Sequence, residues 1–156
     1  MNPEQFANPL QLLASVKVPP NGHPVSTRFS IEVSAESLID FVKTIHEGGS
    51  AYLIAITGVD PGVEDEHLWV LYHLAQGANV ITLRVILKRE NPVVPSITSI
   101  LPAARIFEQE LWEMLGVVVV DPGSHTPAYH NHLFLPDDWP EGVFPQRKDF
   151  QIEKIS

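Results

Sequence analysis

Three glutamates close together in one helical pattern, Glu108, Glu110 and Glu113, are the first residues in this chain whose type suits acid–base work. A catalytic carboxylate pair must converge on one bond, and Glu108 and Glu113, five positions apart on a helix, do not stack on one face. The plainer expectation is that they are solvated or pair locally, as Arg105 would with Glu108 at i, i+3. His125, His130 and His132 form a second cluster, with the composition of a metal site, because neutral imidazoles bind zinc, nickel or iron. A useful site needs three or four ligands in fixed geometry, and this loop contains proline and no nearby cysteine, so polar surface is the simpler reading. A free-standing metal-dependent enzyme built on these histidines is nevertheless the rival hypothesis. His67 and His73 fall on one face of a strand, where a structural role leads. Ser96, Ser99 and Ser124 lack the Gly-x-Ser-x-Gly turn that presents a nucleophile. Gly58-x-x-x-Gly62 lacks the spacing and the Lys-Ser/Thr of a phosphate loop, and no motif supports NADH, ATP or another small metabolite.

The end of the chain offers different chemistry. Pro122, Pro127, Pro136, Pro140 and Pro145 restrict the backbone and lower the entropy lost on docking. Between them stand Trp139 and Phe144, with Phe150 after them, as aromatic anchors for partner pockets, and Arg147 suits a bidentate contact to a carboxylate. The competing reading is an arm folded onto its own domain.

The elements that must position these residues follow from periodicity. Asn8-Pro9 opens a short amphipathic pattern with Phe6, Leu10 and Leu13, which predicts an N-terminal helix. Phe29, Ile31 and Val33 alternate with polar residues and predict a strand near 27–33. Ser34 then caps a helix whose stripe is Leu38, Ile39, Val42 and Ile45, ended by Gly48-Gly49. Ala51 to Thr57 is nearly continuous in apolar residues, the pattern of a central strand covered on both faces. Leu68, Val70, Tyr72 and Leu74, then Ile81, Leu83, Val85 and Leu87, alternate around Gln76-Gly77-Ala78-Asn79 and predict an antiparallel hairpin. After Pro92, Pro95 and Pro102 a helix carries Phe107, Leu111, Met114 and Leu115 on one face and ends at Gly116; Trp112, off that stripe, is left for a loop or a partner. The sum is an α+β fold, a mixed sheet of about four strands with helices packed on it. Residues 1–116 make the core and residues 117–156 a long Pro-rich docking arm of the same single domain.

Composition bounds the partners. The 156 residues suffice for one domain that buries its own core. The absence of cysteine excludes disulfides, thiolate zinc sites and cysteine-ligated iron–sulfur clusters within this sequence, so redox cofactors must sit elsewhere. A net charge of -9 opposes nonspecific binding to nucleic acid or anionic lipid. Neither a secretory signal nor a membrane span is legible, and the expectation is a cytosolic chain that another subunit anchors wherever it works at a membrane.

Four ordered motifs then carry a resemblance. They are Asn91-Pro92-Val93-Val94-Pro95-Ser96-Ile97-Thr98-Ser99-Ile100, Glu108-Gln109-Glu110-Leu111-Trp112-Glu113-Met114-Leu115-Gly116, Leu135-Pro136-Asp137-Asp138-Trp139 and Arg147-Lys148-Asp149-Phe150. From about Phe29 to Phe150 the chain resembles the C-type subunits of NADH-quinone oxidoreductase, which belong to the peripheral arm of respiratory complex I, and their relatives in membrane-bound nickel-iron hydrogenases. The family helix usually reads Glu-Arg-Glu with an Asp three positions later; here Gln109 replaces the Arg and Glu113 the Asp, so the Arg contact is lost. Gly123-Ser124-His125 and Tyr129-His130-Asn131-His132 also depart from the family loop. Trp139-Pro140-Glu141-Gly142-Val143-Phe144-Pro145 is longer than the usual respiratory spacing and leans toward the hydrogenase or formate-hydrogenlyase branch, although loop length changes at small free-energy cost and both branches stay open.

The resemblance implies a non-catalytic subunit without cofactors of its own. It would dock on a large catalytic subunit and adjacent iron–sulfur subunits at the cytoplasmic face of a membrane, where electrons pass to quinone or protons. Glu108, Glu110, Trp112, Asp137, Trp139, Arg147, Lys148 and Asp149 would be its partner contacts or the supports of its arm.

Overall fold

Alternation fixes the centre of the fold. Leu68, Val70, Tyr72 and Leu74 on one strand and Ile81, Leu83, Val85 and Leu87 on the next all point to one side and are buried. A computed structural model of the chain describes residues 28–124 and 126–152, so the helix expected near Asn8 and the first histidine of the cluster, His125, lie outside the described residues. The elements are β1 (Arg28–Val33), α1 (Leu38–Glu47), β2 (Tyr52–Val59), β3 (His67–Gln76), β4 (Asn79–Lys88), β5 (Val93–Pro95), α2 (Ala104–Leu115) and β6 (Val118–Val120). The main sheet has the order β1-β4-β3-β2, with β1 parallel to β4 and the other pairs antiparallel. It is the mixed four-stranded sheet of an α+β fold, and the hairpin β3–β4 closes through a turn at Gly77-Ala78. His67 and His73 share the face of β3 turned away from the core.

β2 corrects the sequence reading. It is an edge strand, not a central one, and Tyr52 and Ile54 are 61% and 44% exposed. Its apolar run is unbroken because a bulge between Leu53 and Ala55 interrupts the alternation, and because α2 covers its inner face at Gly58. A Cβ at Gly58 would overlap Leu111 and Leu115, so glycine there permits the close approach of helix and strand. The helix expected from Ser34 begins at Leu38: Ser34 closes a turn, its Oγ accepting from the Ser37 N–H at 3.3 Å, before α1 buries Leu38, Val42 and Ile45.

α2 departs furthest from its predicted stripe. Ala104, Leu111 and Leu115 face the core as apolar residues should, but Glu108, Gln109 and Glu113 are buried with them. The helix ends at Gly116 in the left-handed region (φ 68°), with N–H bonds from Gly116 to the Trp112 carbonyl and from Val117 to the Leu111 carbonyl. β6 then pairs in parallel with β5, which brings the Pro92–Ile97 segment alongside α2.

Candidate functional site

Buried carboxylates organise the region around α2. Glu108 is wholly inaccessible; its Oε1 accepts from the Ile97 N–H at 2.8 Å and its Oε2 from Ser96 Oγ at 2.8 Å and the Tyr129 hydroxyl at 2.9 Å. Burial pushes the Glu108 carboxyl above its ordinary value, and the three donors only partly offset that. The same burial, with the Glu108 charge, raises the Tyr72 and Tyr129 hydroxyls. Neither the expected solvation nor the Arg105 pairing occurs: Glu108 is the buried tie between the start of α2, the Ser96-Ile97 turn and the Tyr129 segment.

Glu113 performs the same task on another flank of α2. Its Oε1 accepts from Gln109 Nε2 and from the Leu133 N–H, both at 2.7 Å, and its Oε2 from the N–H groups of Phe134 and Leu135 at 2.9 and 2.8 Å. Burial opposes the charge, but the Gln109 amide and the three backbone donors outweigh it and hold the carboxyl below its usual range. Gln109 Nε2 also donates to the Asn131 carbonyl at 2.8 Å. The Gln109 amide thus bridges helix and loop at the position where the family usually carries an Arg.

Of the three histidines, His130 is exposed, while His132 stacks on Trp112 (5.3 Å between centroids, 17° between planes) with Nδ1 3.5 Å from Glu113 Oε2. Trp112 thus meets a loop of its own chain. Among the described residues no group of three or more His, Asp or Glu is placed to hold a metal ion.

The arm returns to the domain at two further points. Arg147 Nε donates to the Leu115 carbonyl at 2.7 Å, and its guanidinium lies 4.6 Å from the centre of the Phe144 ring, which covers Gly116. This is a contact to the end of α2 where the sequence suggested a partner carboxylate. The Lys148 N–H donates to Asp60 Oδ2 at 2.8 Å; Asp60 also accepts from the Gly62 N–H at 2.9 Å and from both terminal nitrogens of Arg89. Trp139 stacks on Phe150 and donates from Nε1 to the Val143 carbonyl at 2.7 Å. Trp112 and Trp139 line one cleft of about 430 Å³. Glu110 is half-buried; Asp137, Lys148 and Asp149 are exposed.

The sequence reading missed the Asp60–Arg89 pair, the Ser96–Glu108–Tyr129 cluster and the Gln109–Glu113 bridge. Asp60-Pro61-Gly62 is a turn sequence, but nothing local points to its partner, because Arg89 lies 29 positions away. Ser96 sits in a recognisable motif, yet nothing local says that its hydroxyl serves a carboxylate 12 positions on.

A family model described as the 30 kDa subunit of respiratory-chain NADH dehydrogenase matches residues 31–156. The C-type NADH-quinone oxidoreductase subunit of Moorella thermoacetica is 34% identical over 127 residues, covering 80% of each chain. The beta subunit of the membrane-bound hydrogenase of Pyrococcus furiosus is 30% identical over 127 residues, 78% of this chain and 69% of that one. The joined C/D-type NADH-quinone oxidoreductase subunit of Bacteroides thetaiotaomicron is 32% identical over 114 residues, 66% of this chain but 20% of that longer protein. Among solved structures, a chain of the archaeal membrane-bound sulfane sulfur reductase superposes with a TM-score of 0.67 at 22% identity, covering 91% of this chain and 82% of that one, which establishes the shared fold.

Proposed function

This chain belongs to the family of the 30 kDa subunit of respiratory-chain NADH dehydrogenase, and from that premise we propose that it docks on the large catalytic subunit of its complex. It is a peripheral-arm subunit of the complex I superfamily, whose members include both respiratory and hydrogenase subunits. No described helix is long and apolar enough to cross a membrane. In the proposed assembly the chain is peripheral to the membrane on its cytoplasmic side, binds no redox centre, and leaves electron transfer to iron–sulfur clusters in neighbouring subunits.

The observation that carries the choice of partner is the joined C/D-type relative, in which the region matching this chain is a fifth of a longer protein whose name couples C to D. A domain fused to another subunit in one protein and separate in another supports a position beside that subunit. The residues divide accordingly. Glu110, Asp137, Lys148 and Asp149 meet the partner. Glu108, Trp112, Trp139 and Arg147 hold the helix, the loop and the arm in the shape the partner meets, a preorganisation that lowers the cost of association.

Purification of the tagged chain from native membranes, with identification of the co-purifying subunits, tests this. A D-like or nickel-iron large subunit is the expected companion, and an added NADH-oxidising module would mark the respiratory branch. A chain that runs alone and never enriches with membranes overturns the proposal.

A further inference from the structure

We propose that the groove between the start of α2 and residues 128–133 seats an extended segment of a neighbouring subunit that presents a carboxylate beside a large apolar side chain. The inference rests on the reading of this chain as a subunit and names the chemistry of one contact. The groove, about 610 Å³, is lined by no Asp or Glu among the described residues, although the chain carries a net charge of -9. Its rim bears Arg105 and His130, both exposed, and Arg105 forms no ion pair among the described residues.

Two apolar side chains flank it with no cover: Ile106 is 47% and Leu133 61% exposed. The floor is already satisfied, since the Tyr129 hydroxyl serves Glu108 and the Gln109 amide serves Glu113 and Asn131. Those two carboxylates are buried beneath it, so they offer an incoming segment no accessible acceptor. What stays available is a cation beside two apolar anchors on a rigid base, and the complement is an acid beside an apolar residue.

The test places a p-benzoylphenylalanine photocrosslinker at position 106 of the full chain in cells that assemble the complex, and maps the adduct after irradiation. The expected adduct joins another subunit at a segment where Asp or Glu lies within a few residues of a large apolar side chain. Arg105→Glu in the same background should lower adduct yield by about tenfold, and Arg105→Lys should keep most of it. Arg105 and Ile106 are exposed, so the substituted chains should melt with the parent.

Adducts to a second copy of this chain, to lipid or to a segment without a carboxylate overturn the proposal, as does a yield indifferent to Arg105→Glu. If the complex co-purifies and no intersubunit adduct forms, the groove inference falls and the subunit reading stands. If the chain co-purifies with no other subunit, both fall.

Discussion

A buried carboxylate is costly, and α2 carries two, so each must be offset by bonds that nothing else supplies. Glu113 collects three consecutive backbone N–H groups and an amide, which makes one side chain responsible for the path of residues 131–135. Hydrogen bonds to charged groups contribute about 1.5–3 kcal/mol each before losses are shared. Glu113→Ala is therefore expected to destabilise the domain by about 3 kcal/mol in thermal or chemical denaturation. The amides of Leu133, Phe134 and Leu135 should lose hydrogen-exchange protection first; unchanged protection there would mean that other contacts hold the loop. The five-residue interval between Glu108 and Glu113 says that they do not stack on one face of the helix. It could not reveal that two separate loops wrap two flanks of the helix, because single-sequence spacing says which face a residue is on and not what arrives there.

At the scale of elements, periodicity identified what is local and missed what is paired across the chain. The β3–β4 hairpin alternates strictly and turns within its own sequence, so its residues state its structure. β2 looked central because apolar content reports burial and not position in a sheet; a bulge and the covering helix produced the same signal at an edge. The join between α2 and the arm was legible in half. Gly116 marked the helix end, but the Phe144 ring that lies on it comes from the lengthened stretch between Trp139 and Pro145, where the sequence suggested an anchor for a partner and not a cover for this glycine. Gly116→Ala forces a Cβ into a left-handed conformation and into that ring, two costs at one site. It should destabilise by about 2–4 kcal/mol. The Gly116→Ala, Phe144→Ala pair should then cost less than the sum of its members, because the smaller residue removes the overlap. Strict additivity by double-mutant analysis would place the whole penalty in the backbone.

For the whole molecule, the telling group is Asp60, which joins the turn after β2, the residue after β4 and the arm at Lys148. Burial resists its charge, but the Arg89 guanidinium and the N–H groups of Lys148 and Gly62 prevail and hold its carboxyl at about 2. A carboxyl whose folded value lies below its unfolded one, near 3.9, adds stability above that unfolded value and loses it as pH falls toward 2, about 2–3 kcal/mol in all. Glu113, also depressed, acts in the same direction; Glu108, raised, acts in the opposite one, since the folded chain binds its proton more readily than the unfolded chain. Of these three carboxyls only Glu108 takes up its proton between neutrality and about pH 4.5, which adds stability there; below that the Asp60 and Glu113 contributions are lost and stability should fall, with the Lys148 amide gaining exchange before the β3–β4 amides. Asp60→Asn should start lower at neutral pH, because Arg89 loses its charged partner, and should show a shallower acid limb. If that limb instead stays parallel to the parent's, Asp60 does not carry the acid response, and the arm is held to the domain chiefly by Arg147 and the Glu113 loop.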